Sequence, residues 1–143
     1  MDCLFLVRAR DQQHPITAPF SASSDPCKGE LVNAALPVQR QLEAYNAHDL
    51  ERFVAEYADD VRVFRPPADE PVLSGKAAFA AHYAANRFNL PQLHAEVVNR
   101  IVSGNKVVDH ERITGLEKQP VEAIAVYEVI EGRIRTVWFF YPA

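Results

Sequence analysis

A chain of 143 residues can bury one substantial core but is short for two comfortable domains. Its 19 acidic and 15 basic side chains leave a net charge of -4 with no lysine or arginine run, which removes nucleic acid from the expected partners. The apolar patch in MDCLFLVRAR has no basic stretch ahead of it and is cut off by Arg8 and Arg10 far short of a membrane span, so a cytoplasmic protein without membrane contact is expected.

Residues 1–33 combine Pro15, Pro19, Pro26, several serines and Gly29 with no sustained period, and read as a loosely packed or disordered extension. Cys3 and Cys27 both lie there and read as free thiols. With no CxxC and no histidine at ligand spacing, neither a metal nor a cofactor is expected.

The domain itself is expected over residues 34–143. From Leu36 onward, Val38, Leu42 and Tyr45 recur at helical spacing, with Pro37 acceptable in a first turn. Asn46 to His48 break that helix. Asp49 then N-caps a second one, whose Leu50, Phe53, Val54 and Tyr57 form a core-facing stripe. Val61 to Phe64 alternate as a short strand before the proline-rich RPPADEP loop. Ser74 is placed to cap a third helix carrying Phe79 and Tyr83 on one face, with His82 beside them.

After Pro91 the period becomes two, giving strands at roughly 93–103, 106–115, 120–130 and 133–141, with Gly104-Asn105 and Glu131-Gly132 as tight hairpin connectors. Helices first and a strand meander after them indicate an α+β domain, helices covering one face of a curved antiparallel sheet. The last two strands are apolar on both faces: Ile124, Val126 and Ile130 alternate with Ala125, Tyr127 and Val129, and Trp138 and Phe140 with Val137, Phe139 and Tyr141. Helices cover only one of these faces, so the other is expected to meet a second copy in a homodimer.

Several phrases, YNAHDLERFVAEYADDVRVF, SGKAAFAAHYAANRF, LHAEVVNRIVSGNKVVDHERITG and AIAVYEVIEGRIRTVWFF, resemble the SnoaL-like, steroid delta-isomerase-like branch of the nuclear transport factor 2-like superfamily. The resemblance runs from about residue 36 to the end. It implies a cone-shaped α+β barrel, three N-terminal helices on the sheet, a deep apolar pocket for a small hydrophobic molecule, and dimerisation through the outer sheet face. Ketosteroid isomerases of that superfamily use a helix-1 tyrosine, a strand-4 aspartic acid and a strand-1 aspartate. The matching positions here are Gln41, Ala125 and Arg65. Ala125 has no proton to give and Arg65 accepts none near neutral pH, so any isomerase-like chemistry must rest on other residues.

The stretch VVDHERITG supplies candidates. Alternation sends Val107, Asp109, Glu111 and Ile113 to one face and Val108, His110, Arg112 and Thr114 to the other, and the resemblance to the isomerases, counted back from the Gly115 turn, implies that Val107, Asp109 and Glu111 look into the concave side. A carboxylate in an apolar hollow has its pKa raised towards neutrality, which suits proton transfer. Asp109 is therefore the expected proton carrier, Glu111 its support, and His82 an imidazole that Asp109 orients. The plain counter-reading pairs the two acids with Arg100 or Arg135 across the sheet. Tyr127, Tyr141, Phe139, His94 and Arg65 are the expected substrate-binding residues, the two tyrosines stacking on a flat ligand and offering a phenol to its oxygen. His110 and Arg112 are expected in a subunit contact or a salt bridge to Glu128. A metal site at Asp109, His110 and Glu111 fails because strand neighbours point apart. These residues favour cofactor-free acid–base chemistry on a small hydrophobic carbonyl compound. The alternative is non-catalytic binding of a hydrophobic ligand, or a dimeric scaffold.

Overall fold

The computed structural model describes residues 26–143, and for residues 26–33 the backbone only. Cys3 and the thiol of Cys27 lie outside the described residues. Among the described residues three helices, α1 (Pro26–Asn46), α2 (Leu50–Ala55) and α3 (Lys76–Asn86), accompany six strands: β1 (Tyr57–Phe64), β2 (Leu73–Ser74), β3 (His94–Ser103), β4 (Lys106–Thr114), β5 (Val121–Ile130) and β6 (Arg133–Phe140). They form one sheet in the order β2-β1-β6-β5-β4-β3, antiparallel throughout except where β1 lies parallel to β6.

Three local expectations are corrected. Helix α1 starts at Pro26 instead of near Leu36 and carries Pro37 in its interior. A proline there removes a single backbone hydrogen bond, a loss offset by burial of Pro37, Val38, Ala44 and Tyr45 along the following turns. Tyr57 does not end the second helix but opens β1, where it pairs with Ile134, and the Glu56 carbonyl accepts from the Ile134 amide at 2.9 Å. Pairing with the last strand thus ends α2 at Ala55, a competition no local pattern announces. Ser74 does not cap α3: it pairs with Arg62 in β2, and Gly75, at φ 91°, takes the cap position. Asp49 does cap α2, its side chain accepting from the Arg52 amide at 3.2 Å.

The meander follows the alternation. Ser103 pairs with Lys106 and Ile130 with Arg133, so both expected connectors are two-residue turns, the second with Glu131 and Gly132 at positive φ. Gly115 is required for a different reason. At φ 81°, a Cβ there would sit 2.0 Å from the Gln92 carbonyl oxygen, so the end of β4 and the entry to β3 touch backbone to backbone.

The core lies between the helices and the inner sheet face, centred on Phe53. Tyr45, Tyr57, Phe79, Tyr83 and Phe88 surround that ring at centroid distances of 4.9 to 5.8 Å. On the other face, register aligns Phe64, Trp138, Val126, Val108 and Ile101 in one row across five strands. Ile101 is 58% exposed, and Ile124 and Phe140 beside the row are also open to solvent. His110 and Arg112 are on this outer face as expected, but they bind Glu122 at 2.6 and 3.0 Å and not Glu128. Register explains it: Glu122 lies opposite Arg112, whereas Glu128 lies opposite Lys106 and Thr136.

Candidate functional site

Strand β4 buries Val107, Asp109, Glu111 and Ile113 on the helix-covered face, as alternation predicts. The two acids have different surroundings. Asp109 is fully buried and faces Arg100 directly across the β3–β4 ladder. The guanidinium grips it at both ends, Nε to Oδ1 at 2.6 Å and Nη2 to Oδ2 at 2.9 Å, and turns its remaining arm to Gln39 Oε1 at 2.9 Å. Asp109 lines neither of the two hollows described below and makes no bond to His82, so the expected His-Asp pair does not form.

Glu111 sits opposite Ala123, and the small side chains of Ala123 and Ala125 leave space beside it. Its Oε2 accepts from the Tyr127 hydroxyl at 3.0 Å. Gln41 Nε2 donates to that same hydroxyl at 3.4 Å and to the Val38 carbonyl at 3.0 Å, while Gln41 Oε1 accepts from the Tyr57 hydroxyl at 2.9 Å. One chain of donation therefore runs from Tyr57 through Gln41 and Tyr127 to Glu111. Burial pushes the Glu111 carboxyl up to about 7 and the Asp109 charge adds to it, while the Tyr127 hydroxyl and Arg100 pull the other way. Burial also raises Tyr127 and Tyr57 well above the ordinary phenol range, so both hold their protons as donors near neutral pH.

Two hollows adjoin. The inner one, about 40 Å³, is walled by Glu111, Tyr127, Gln41, Tyr57, Tyr45 and Ala95, among others. The outer one, about 180 Å³, is walled by Val63, Arg65, Val72, Leu73 and His82. Tyr83, Arg87, Phe139 and Tyr141 line both. Of the expected site residues, Glu111, Tyr127, Phe139 and Tyr141 thus meet at the inner hollow, and Arg65 and His82 at the outer one. Arg65 lies over the Tyr141 ring, 4.6 Å from its centroid. His82 has its pKa lowered, by burial first and then by the charges of Arg87 and Arg65. His94 is exposed on an edge strand away from both hollows, its carbonyl accepting from Thr114 Oγ1 at 3.4 Å. Among the described residues no group of three metal-ligating side chains comes together.

Sequence reasoning missed Tyr57 and Arg87 as walls. Neither carried a signal, because the first depends on β1 reaching β6 and the second follows a helix end. Arg100 was the exception. Counting outward from the Gly104-Asn105 turn puts it opposite Asp109.

The SnoaL-like domain family matches residues 38–137. The chain belongs to that family. Among solved structures this SnoaL-like protein is similar to an uncharacterized cystatin-fold protein from Novosphingobium aromaticivorans, at 26% identity and TM-score 0.67 over 74% of this chain and 96% of the other. A putative ketosteroid isomerase from Kribbella flavida shares 21% identity at TM-score 0.66, covering 80% and 81% of the two chains. A putative polyketide cyclase from Sinorhizobium meliloti shares 19% at TM-score 0.62, covering 72% and 92%. The last two likenesses show the fold alone. No curated protein matches the SnoaL-like chain, and among the described residues no helix is long and apolar enough to cross a membrane.

Proposed function

We propose that this SnoaL-like protein catalyses cofactor-free, isomerase-like proton transfer on a small hydrophobic carbonyl compound, with Glu111 as the proton carrier. One observation carries the reading: the Glu111 carboxyl borders the inner hollow with a pKa of about 7, so near neutral pH it is poised to take a proton and to return it. In the proposed reaction, carboxylate Oε1 or Oε2 removes a proton from the carbon beside the substrate carbonyl, leaving an enolate. Once Glu111 is protonated its claim on the Tyr127 hydroxyl weakens, and that hydroxyl becomes a donor for the enolate oxygen. Returning the proton to a different carbon completes an isomerisation without any cofactor.

Asp109, held by Arg100, acts in this reading through Glu111, its negative charge helping to keep the neighbouring carboxyl near neutrality. It is a positioning residue and not the proton carrier. Phe139 and Tyr141 flank the passage between the hollows and bind the apolar body of the substrate. The fold neighbours described as a putative ketosteroid isomerase and a putative polyketide cyclase support carbonyl compounds as the class.

The test is exchange of substrate protons for deuterium, followed by NMR across a panel of small ketones, alongside carboxyl titration of Glu111 in 13C-labelled protein. The expected result is exchange that disappears in Glu111→Gln and a Glu111 midpoint near 7. A midpoint near 4.5 would remove Glu111 as base. A second reading, a pocket that binds without catalysis, draws on the narrowness of the inner hollow: about 40 Å³ admits a water or a small substituent but no ring. Binding of ketones with no exchange in any of them would favour it.

The assembly proposed is a two-fold homodimer through the row Phe64, Trp138, Val126, Val108 and Ile101, whose half-open apolar surface sits on a face that no helix among the described residues covers. A monomeric sedimentation profile at micromolar concentration would count against it.

A further inference from the structure

Arg40, Arg52, Arg100, Arg112 and Arg135 each lie within salt-bridge distance of a carboxylate. Among the described residues Arg62, Arg65, Arg87 and Arg133 do not, and of these Arg65 and Arg87 face the outer hollow together with His82. Among the described residues no acidic side chain lines that hollow, in a protein whose net charge is -4. Both guanidiniums are held in place. Arg65 is laid over the Tyr141 ring at 4.6 Å, and Arg87 Nη1 donates to the Asn86 carbonyl at 2.8 Å. Two ordered cations without a counter-charge around one cleft form a receptor for an anion.

The remaining walls limit what that anion is attached to. Val63, Val72, Leu73 and Phe139 are apolar, and about 180 Å³ is well below the roughly 300–1,000 Å³ of pockets for drug-sized ligands. A single ring or short chain fits; a four-ring steroid does not. Arg87 also borders the inner hollow, so a molecule anchored on it points its other end towards Glu111. A planar carboxylate suits the fork of a guanidinium and an apolar-walled cleft better than a fully hydrated phosphate does.

We infer that the substrate is a small carboxylate-bearing carbonyl compound, its carboxylate held by Arg65 and Arg87 in the outer hollow and its carbonyl end directed to Glu111. The assignment of the carbonyl end rests on Glu111 being the proton carrier; the anion site does not.

The test uses benzoate and its neutral analogue benzamide as probes, titrated near pH 7 against the full chain and followed by amide NMR shifts. Saturable benzoate binding is expected, with the largest shifts at Phe139 and Tyr141 and benzamide weaker by about tenfold or more. Arg65→Gln and Arg87→Gln are each expected to weaken benzoate by about tenfold, Arg65→Lys to recover part of the loss, and Arg62→Gln, on the outer sheet face, to change nothing. Glu111→Gln should bind benzoate no less tightly than the parent, so a failed proton-transfer reading leaves this result standing. Equal affinity for benzoate and benzamide, tighter binding of inorganic phosphate than of benzoate, or an unchanged affinity in the folded Arg65→Gln/Arg87→Gln double variant would each overturn the inference. So would the absence of any saturation up to about 50 mM benzoate.

Discussion

Asp109 and Glu111 stand two residues apart on the same face of one strand, and both are buried. Around Asp109 the neighbouring strand supplies a guanidinium with two matched bonds, so both carboxylate oxygens are taken up in an ion pair. Around Glu111 the neighbouring strand supplies alanine, the only strong donor is a phenol, and one side is left open to a hollow. The lesson is that burial alone does not make a carboxylate reactive. What separates a structural acid from a chemical one is whether burial comes with a full counter-charge.

The contrast can be tested by experiments of decreasing severity. The largest effect expected is on turnover: Glu111→Gln should lower proton exchange by about 10³-fold while the melting temperature stays the same or rises, measured on whichever ketone the wild type exchanges. Next, Asp109→Ala strands Arg100 and should cost about 4 kcal/mol in denaturant unfolding, accompanied by a lowered Glu111 midpoint because a raising charge has gone. A stable Asp109→Ala protein would contradict the structural role given to that acid.

Third comes pH dependence. Below about pH 4.5 Glu111 is protonated whether the chain is folded or not. Between 4.5 and about 7 the folded chain keeps a proton that the unfolded chain has released, so its contribution to stability falls as pH rises and is lost above about 7. The total is about 3 kcal/mol, and the difference in pH slope between wild type and Glu111→Gln should display it. Fourth, Tyr127→Phe removes a hydrogen bond that lowers the Glu111 pKa, so the midpoint should move up and stability should drop by about 1 kcal/mol. The smallest effect belongs to the outer face. Glu122→Gln takes away the negative charge and one of the two oxygens that His110 and Arg112 bind but should leave the melting temperature unchanged in about 0.5 M salt, because solvent and salt screen that cluster.

Much of the architecture was legible because period and turn chemistry are local. Alternation in VVDHERITG divided its eight strand residues correctly into two faces, and the two hairpin turns set the register of β3 with β4 and of β5 with β6 up to the shifts at Val97/Asn99 and Glu128/Val129. What stayed hidden was non-local. Tyr57 followed the helical stripe of Phe53 and Val54 in sequence, yet its backbone pairs with Ile134, far along the chain. The same pairing brings its hydroxyl to Gln41. Choosing between Asp109 and Glu111 needed one further step that was available. Register opposite the Gly104-Asn105 turn delivers Arg100 to the first acid and no cation to the second, and that difference is why the proposed reaction is assigned to Glu111.

The amide of Gln41 has its nitrogen committed to the Val38 carbonyl and its oxygen to the Tyr57 hydroxyl, and turning it over would set its oxygen against the Val38 carbonyl oxygen. Traffic along those four side chains is consequently one-way, towards the acid. A carboxyl fed only from behind has no exit for its proton in that direction. In the proposed reaction a proton captured by Glu111 would therefore leave by the hollow, which would tie each turnover to the arrival and departure of the substrate.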